Sequence, residues 1–436
     1  MAGSVRLAVT GIQDQWLTGE PQFSYFVMNY RRHTRFATEM VERPFDGQPG
    51  FGNTVTCQIP NNMGDLLRSV TLKVTLDPLP QVGGDDGGGG IEIFSFSPEY
   101  YTLYYPSIGT RMIEHADLII GGQVIERLTG EYIYMYDQLH NNIDDTDQTL
   151  YFLTGHGSHI DFKAPYTFYV NLPFYFFRHP SLAIPLCALT KQLIEVRITF
   201  KDSDYKIHQT FKEFNDRWTV NFNETGEKKG GIQAATLISD FYFITDPEIH
   251  FLKTRPIEYV ITQLQLATIP LEIETSKKSV LLHFKHPVKE LLFIATLSER
   301  NPFIQPLDGI IAESDLTIRM SPVIPLRSDV RNIKRISLEF NEATVFDHDG
   351  TQLAYQQSLD HHTGCPSPAY EFYTYSFALK PEEYYPTGQV NMSRVRHQKL
   401  NIELDETDQY NDIIVNVYAV NYNVLRIESG LAGLKF

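Results

Sequence analysis

The chain has 436 residues and a formal net charge of −16 at pH 7. Its length exceeds the roughly 250 to 300 residues that one hydrophobic core serves, so two cores are expected. The acidic balance argues against nonspecific binding to nucleic acid or to an anionic bilayer over the whole surface. No apolar stretch approaches the roughly 18 to 20 residues that span a bilayer, which predicts a soluble protein.

The cysteines and the first residues bear on where the chain folds. Cys57, Cys187 and Cys365 are an odd number and lie far apart, which does not suggest a disulfide framework. The opening residues MAGSVRLAVTG lack the apolar core of a secretory signal. We therefore expect synthesis and folding in a reducing cytosol.

Alternation of apolar and polar residues, the pattern of a half-buried strand, recurs along the chain. Residues 69–76 (SVTLKVTL) alternate perfectly, and the same pattern predicts strands over 194–200, 400–404 and 414–420. The 25 Tyr and 28 Phe fit such pleated surfaces. One helix is predicted over 129–141, with Thr129 as its N-cap.

Three turn-rich segments are predicted to be exposed loops: 81–90, 141–147 and 347–365. The last contains Asp347-His348-Asp349-Gly350, a fragment of a calcium loop. Because the downstream Glu that would close an EF-hand is missing, a polar turn is the better interpretation.

The chain also repeats itself. Residues 55–67 (VTCQIPNNMGDLL) and 280–292 (VLLHFKHPVKELL) share a β-rich run, a turn and an acid-Leu-Leu triplet at the same spacing. A second pair of similar runs is FYFFRHP (174–180) and YSFALKP (375–381), each leading into a strand. The sequence separation between the two runs of a pair differs by only a few tens of residues from the first pair to the second. This is expected for two domains of about 200 residues whose loops differ in length.

Many short antiparallel strands in a duplicated chain predict an all-β fold of two tandem eight-stranded antiparallel jelly rolls, with few short helices in loops. The polar stretch 204–231 is interpreted as the linker between them. The predicted limits are 1–24 for an N-terminal arm, 25–203 for the first roll and 232–436 for the second.

The sequence predicts no catalytic, cofactor or metal site. It has no G-x-S-x-G, H-E-x-x-H or G-x-x-x-x-G-K-[ST] motif. The glycines 87–90 are followed by Ile-Glu-Ile, which favours a flexible loop over a phosphate site. The pairs His156/His159 and His283/His286 are three residues apart, so on a strand their rings point to opposite faces and packed or surface histidines are expected.

A basic cluster and two sequons remain as candidate sites. Arg31, Arg32 and Arg35 stand out in an acidic chain, either as contacts to acidic surface on a neighbouring subunit or as a solvated strand end. Asn223 and Asn391 fit the N-glycosylation sequon, but a chain without a signal peptide would not normally meet that machinery. Both sequons are interpreted as coincidental.

Several motifs in family order closely resemble the major capsid protein of nucleocytoplasmic large DNA viruses, the group of chloroviruses and iridoviruses. The opening match is 11–39 (GIQDQWLTGEPQFSYFVMNYRRHTRFATE). The strongest match is C-terminal: NMSR at 391–394, NYNVLRI at 421–427 and SGLAGL at 429–434. Between them lie FGN (51–53), IGGQVI (120–125), LAIPL (182–186) and YSFALKP (375–381).

The resemblance implies a structural protein whose three copies form a pseudo-hexagonal capsomer. Such capsomers tile an icosahedral shell above an internal membrane, and the N-terminal arm lies on the inner side. Neighbouring capsomers and minor capsid and penton proteins would be its partners, without direct contact to nucleic acid. The implied location is the virion capsid, assembled in the host cytoplasm.

Three alternatives stay open from the sequence: a low-copy capsid paralogue of the same fold, a jelly-roll lectin and a jelly-roll metalloenzyme. Selective glycan binding would favour the lectin, and a metal that copurifies in stoichiometric amount would favour the enzyme.

Overall fold

A computed structural model describes residues 11, 18–22, 24–27, 32–78, 100–104, 107–141, 149–150, 152–155, 165–202, 208–214, 217–221, 231–271, 277–297, 332–366, 372–404 and 413–436. It divides into two compact units, Met1–Phe36 and Ala37–Phe436, each considered by itself. Most of the predicted arm, the loop 81–90, residues 142–147 and both His156 and His159 lie outside the described residues.

Among the described residues, the second unit contains every named strand and four α-helices whose bounds are defined. The strands are β1 Ala37–Pro44, β2 Thr54–Ile59, β3 Leu66–Leu76, β4 Tyr100–Tyr104, β5 Ile113–Ile120, β6 Gln123–Thr129, β7 Tyr166–Asn171, β8 Ile184–Pro185, β9 Ile194–Phe200, β10 His208–Phe214, β11 Arg217–Asn221, β12 Ile232–Phe243, β13 Ile257–Leu271, β14 Lys277–Leu282, β15 Pro287–Leu297, β16 Ile333–Phe340, β17 Ala343–Asp349, β18 Tyr373–Ser376, β19 Val390–Asn391, β20 Gln398–Leu404, β21 Ile413–Glu428 and β22 Leu431–Leu434. The helices are α1 Ile108–Arg111, α2 Gly130–His140, α3 Asp246–Thr254 and α4 Gln357–His361, the last preceded by a π-helical turn, Gln352–Gln356. Short 3-10 turns lie at Tyr175–Phe177, Pro180–Leu182, Leu186–Ala188 and Met392–Arg394.

The first jelly roll consists of two antiparallel sheets. Sheet A1 has the order β1-β12-β3-β7, with β8 pairing β3, and sheet B1 has the order β2-β9-β5-β6. In β3 and β9 the inward residues alternate with outward ones, as the sequence predicts for 69–76 and 194–200. Burying each large apolar side chain contributes about 1.5–3 kcal/mol, so the core between the sheets is the main source of stability.

The second jelly roll repeats this arrangement strand for strand. Sheet A2 has the order β13-β21-β15-β18, with β19 pairing β15 and β22 pairing β21, and sheet B2 has the order β14-β20-β16-β17. The predicted strands 400–404 and 414–420 lie within β20 and β21. The predicted duplication and the double jelly roll are therefore confirmed.

The repeat is visible at single residues where each β-hairpin leads into a helical segment. The hairpin β5-β6 and helix α2 correspond to β16-β17 and the segment 350–362. Gly130 and Gly350 open the two segments, and a Cβ at either would overlap the carbonyl oxygen of Ile113 or Ile333, the first residue of its hairpin. Only glycine allows the helical segment to begin so close to the strand.

The caps of these segments correspond as well. Thr129 Oγ1 accepts a hydrogen bond from Tyr132 N at 3.2 Å, which confirms the predicted N-cap. In the second roll, Asp349 Oδ1 accepts one from Gln352 N at 2.8 Å, and Asp349 likewise directly precedes the glycine.

The segment 347–365 is therefore not the exposed loop or polar turn predicted from its composition. It contains the end of β17, the π-helical turn and α4. Leu353 and Ala354 supply a buried face, which a count of turn-forming residues does not reveal.

The predicted boundary between the rolls also needs correction. Strand β12, predicted to open the second roll, pairs with β1 and β3 and so completes sheet A1. The predicted linker contains β10 and β11, which form a three-stranded sheet with β4. Because β12 belongs to sheet A1, the first roll ends after Phe243. The sequence did not indicate this, since a polar insertion precedes β12.

Candidate interaction surfaces

Among the described residues, no group of three or more His, Cys, Asp or Glu side chains is placed to hold a metal ion. No helix within those ranges is long and apolar enough to cross a membrane. The three cysteines are free, and burial raises the pKa of each thiol.

Helix α2 of the first roll packs on the outer face of sheet A2. Glu131 Oε2 accepts hydrogen bonds from Asn416 Nδ2 at 2.8 Å and from Tyr418 OH at 2.7 Å. Thr129 Oγ1 donates to the same phenol at 3.1 Å, and the rings of Tyr132 and Tyr418 lie 6.3 Å apart. The N-terminal end of α2 is thereby fixed to β21 of the second roll.

Backbone groups tie the two rolls together beside this contact. Gln263 Nε2 donates to the carbonyl of Ile125 at 2.6 Å. Ala432 N donates to Gln192 Oε1 at 2.6 Å, so the C-terminal hairpin also touches the first roll. Gly364 N donates to the carbonyl of Leu139 at 2.7 Å. Because these donors and acceptors are satisfied across the junction, the rolls are held in one arrangement.

A group of charges, buried except for the partly exposed Glu382, lies at this junction. It consists of Lys289 and Glu290 in β15, His362 after α4 and Glu382 in the β18–β19 connection, and we call it the junction cluster. Lys289 Nζ lies 3.1 Å from Glu290 Oε1 and donates to Pro381 O at 2.6 Å. Its side chain is only 1% exposed. Such a charge is stable in the interior because each of its contacts compensates lost hydration.

The histidine of the junction cluster lies between two carboxylates. Its Nε2 is 3.2 Å from Glu290 Oε2 and its Nδ1 is 3.5 Å from Glu382 Oε1. These are ion-pair contacts, since neither ring nitrogen is aligned for a hydrogen bond. Burial alone would lower the pKa of His362, but the two carboxylates outweigh it and raise that pKa. The imidazolium form is therefore favoured in the folded chain.

The pKa values of three neighbouring titratable groups are shifted mainly by burial. The His140 ring, whose centroid lies 6.0 Å from that of His362, has its pKa lowered to about 3 by burial. Burial lowers the pKa of Lys289 to about 8. Burial also raises the pKa of Glu126 to about 8, although its Oε2 accepts a hydrogen bond from Tyr175 N at 2.7 Å.

The two A sheets differ sharply on their outer faces. In sheet A2 the outward residues Leu292, Ile294, Tyr418 and Val420 are buried against the first roll. In sheet A1 the outward side is polar and partly exposed, with Thr71, Lys73, Thr236 and Asp240 among its residues. One sheet is thus covered within the chain, whereas its counterpart stays partly exposed among the described residues.

The two helical segments show the complementary difference. Leu139 at the end of α2 is 2% exposed, whereas Leu359, its counterpart in the second segment, is 55% exposed. Tyr136 is buried, and its counterpart Gln356 is exposed. An open groove of about 590 Å³ is lined by Asp349, Thr351, Gln352, Tyr355 and Gln356. The outer side of this second segment therefore has no cover within the described chain.

The sites predicted from the sequence fall elsewhere. Arg32 and Arg35 are described and exposed within the first unit, while Arg31 and Asn223 lie outside the described residues. Asn391 is exposed, but its Oδ1 accepts a hydrogen bond from Ser393 N at 3.1 Å. Ser393 Oγ in turn accepts one from His286 N at 2.8 Å. Both polar ends of that sequon thus stabilise the turn after β19.

Sequence reasoning missed the junction cluster and the two helical faces. Lys289 and Glu290 are adjacent in sequence, but His362 and Glu382 are distant and nothing in their local pattern marks them as buried. The signal that would have identified the helical faces was the pair of glycines, Gly130 and Gly350, each placed directly after a strand and its capping residue.

Comparison with known proteins agrees with the duplicated fold. A family model described as "Major capsid protein N-terminus" matches residues 24–238. A second model, "Large eukaryotic DNA virus major capsid protein", matches residues 248–433. The two matches meet near the end of β12, in agreement with the strand pairing.

Individual relatives extend over the whole chain. The major capsid protein of Pyramimonas orientalis virus is 29% identical, and the match covers 100% of this chain and 99% of that protein. That of Paramecium bursaria Chlorella virus 1 is 28% identical, with 100% of both chains covered. The crystal structure of VP54 from the latter virus matches with a TM-score of 0.70 at 22% identity, covering 95% of this chain and 100% of that chain, which bears on the fold alone. The chain therefore belongs to the family of major capsid proteins of large eukaryotic DNA viruses.

Proposed function

We propose that the chain is a structural capsid protein that self-assembles as a homotrimeric, pseudo-hexagonal capsomer. These capsomers tile the icosahedral shell of a large double-stranded DNA virus. The observation that carries the proposal is the strand-for-strand correspondence between the two rolls. Two similar domains per chain give six similar wedges in a ring of three copies, and hexagons tile a surface without gaps.

The proposal includes the partners of such a shell. Neighbouring capsomers, minor capsid and penton proteins and an internal viral membrane are the partners that the family assignment supports, with assembly in the host cytoplasm. The function is structural and not catalytic. Direct binding to nucleic acid is not part of it, since the chain carries a net charge of −16.

The native mass of the purified protein tests the proposal. We expect light scattering to give three times the 50.0 kDa mass of the chain. Negative-stain images of the same sample are expected to show particles with a hexagonal outline. A stable monomer that binds glycans selectively would contradict the proposal and favour a lectin, while a trimer present in few copies per particle would identify a low-copy capsid paralogue.

A further inference from the structure

Strand pairing places one set of connecting segments of both rolls at the same end of the second unit. In sheet A1 this end is marked by the pair Leu66 and Tyr242, and in sheet A2 by the pair Ile257 and Ile427. We call this end the base. The segments that meet there are 60–65, 121–122 and 172–193 of the first roll, α3 between the rolls, and 283–286, 341–342, 377–397 and 429–436 of the second roll.

Contacts between the rolls show that their basal segments lie side by side. Lys191 N, in the first roll, donates to the carbonyl of Gly430, in the second roll, at 3.2 Å. The ring of His179 stacks on that of Tyr384, with 4.0 Å between the ring centroids. The base is therefore one surface to which both rolls contribute.

Three basal segments of the second roll contact one another. Met392 N donates to the carbonyl of His286 at 3.1 Å, which joins 391–397 to 283–286. Asn341 N donates to the carbonyl of His397 at 3.0 Å, which joins 341–342 to the same group. Side chains of these three segments thus project from one part of the base.

These three segments carry an excess of cations. Lys285, Arg394 and Arg396 are exposed, and we call them the basic patch. No salt bridge within the described ranges engages any of the three. Glu342 supplies the single carboxylate of the three segments. In a chain with a net charge of −16, the basic patch is therefore available to an external anion.

Large apolar side chains are exposed on the same base. Leu379 is 77% exposed, and α3 has no buried residue. The exposed apolar side chains of the base come from both rolls and from α3: Leu193, Phe251, Leu379, Tyr384, Tyr385, Leu431 and Phe436. Apolar surface concentrated in one region marks a surface that binds a partner.

We propose that the base binds the surface of an anionic lipid bilayer, with the basic patch on the lipid headgroups and Phe251, Leu379 and Tyr385 entering the interface. The inference rests on the proposed function, which includes an internal membrane, and it assigns the surface and the lipid chemistry of that contact.

The composition of the base favours a bilayer over an acidic protein. Aromatic rings lie at the headgroup level of membranes, and Lys and Arg side chains beside them bind anionic lipid. Both kinds of side chain are spread over several segments of the base, as a broad lipid surface requires. Since the chain as a whole is acidic, an anionic bilayer attracts the base and repels the other surfaces, which orients the molecule.

One chain would bind weakly, and three chains together strongly. Each Lys or Arg near an anionic leaflet strengthens binding roughly fivefold, so the basic patch gives a single copy only modest affinity. In a capsomer whose strands stand upright, the three bases face the same way. Their combined avidity then exceeds the affinity of one base without any new contact, so we expect binding by the trimer.

Flotation of the purified protein with vesicles tests the inference. Vesicles of phosphatidylcholine and phosphatidylserine are expected to carry the trimer upward, and vesicles of phosphatidylcholine alone are not. Added salt is expected to release the protein, because the attraction is electrostatic. A trimer that floats with neither kind of vesicle overturns the inference while the capsomer stands, and its retention on polyglutamate would assign the basic patch to an acidic protein. If no trimer forms, the proposed function fails and the inference fails with it.

A matched pair of double substitutions locates the binding surface. Arg394→Glu with Arg396→Glu is expected to weaken binding to the anionic vesicles roughly tenfold or more. Lys277→Glu with Lys334→Glu makes the same change in total charge at the opposite end of sheet B2, where both lysines pair with Glu403, and is expected to leave binding largely unchanged. Wild-type native mass and melting temperature in both variants would exclude misfolding. An equal loss of binding in the two variants would overturn the assignment to the base.

Fluorescence quenching tests whether the apolar side chains enter the bilayer. Tyr385→Trp places an indole on the base, and lipids with brominated acyl chains are expected to quench its emission. Leu266→Trp, at a leucine of β13 that is 46% exposed and far from the base, is the control, and the wild type corrects for the two Trp already in the chain. Quenching of Tyr385→Trp no stronger than that of Leu266→Trp would show that the base does not face the lipid.

Discussion

At the scale of single residues, the junction cluster couples protonation to the stability of the folded chain. His362 lies between the carboxylates of Glu290 and Glu382, and its pKa is raised. A group whose pKa is raised on folding contributes stability that is fully present below its unfolded pKa of 6.5. That contribution is lost as the pH rises through the higher pKa of the folded chain.

We therefore expect the difference in melting temperature between wild type and His362→Gln to be larger at pH 6.5 than at pH 8.5 in thermal unfolding. His283→Gln, at an exposed histidine outside the cluster, controls for the loss of a histidine as such. A difference that is the same at both pH values would show that His362 contributes packing alone. The lowered pKa of His140 acts below pH 6.5. Lys289 and Glu126, whose pKa values are about 8, titrate inside the window in both proteins, so the test compares wild type with variant at each pH rather than one protein across pH.

At the scale of the elements, the β-hairpin followed by a helical segment is the unit that the two rolls share. A bidentate pair fixes each hairpin: Arg127 to Asp117 in the first roll, at 2.6 and 2.8 Å, and Arg335 to Asp347 in the second, at 2.6 and 2.7 Å. A glycine then lets the helical segment begin against the start of its hairpin.

Gly130→Ala and Gly350→Ala are each expected to destabilise the chain by about 2 kcal/mol or more, because a Cβ would overlap backbone that cannot move freely. Chemical denaturation measures the change. Gly433→Ala in β22 is the control, since a Cβ there meets nothing within 4 Å. A cost at Gly130 no larger than at Gly433 would mean that the hairpin and the helix can separate locally.

At the scale of the whole molecule, charge opposes assembly. Three chains of −16 each carry −48, so contacts between capsomers should weaken at low salt, where repulsion is less screened. Local basic residues offset this repulsion, and the cluster of Arg31, Arg32 and Arg35 is the candidate predicted from the sequence.

Arg31→Glu together with Arg32→Glu is expected to reduce shell assembly more than trimer formation, since local cations would then be lost from contacts between capsomers. Sedimentation of assembled shells and light scattering of trimers measure the two steps separately. Arg394→Glu with Arg396→Glu, at two exposed arginines, makes the same change in total charge and is the control. Loss of the trimer itself in the Arg31/Arg32 variant would count against the assignment.

The sequence by itself determined the elements and the duplication. Period-two alternation is a local signal, so strands such as β9 and β20 and the Thr129 cap of α2 were predictable from a few neighbouring residues. The order of the family motifs and the repeated runs likewise needed no coordinates.

Only the tertiary structure decided which distant segments meet. Strand β12 follows a polar insertion yet returns to the first roll, and the segment 347–365 looked like a loop because its buried face is only a few residues wide. His362 and Glu290 are far apart in the chain, and their burial depends on the packing of one roll on the other. Pairing partners and burial are non-local properties, so the asymmetry between a covered A2 sheet and an exposed A1 sheet could not be derived from the sequence pattern.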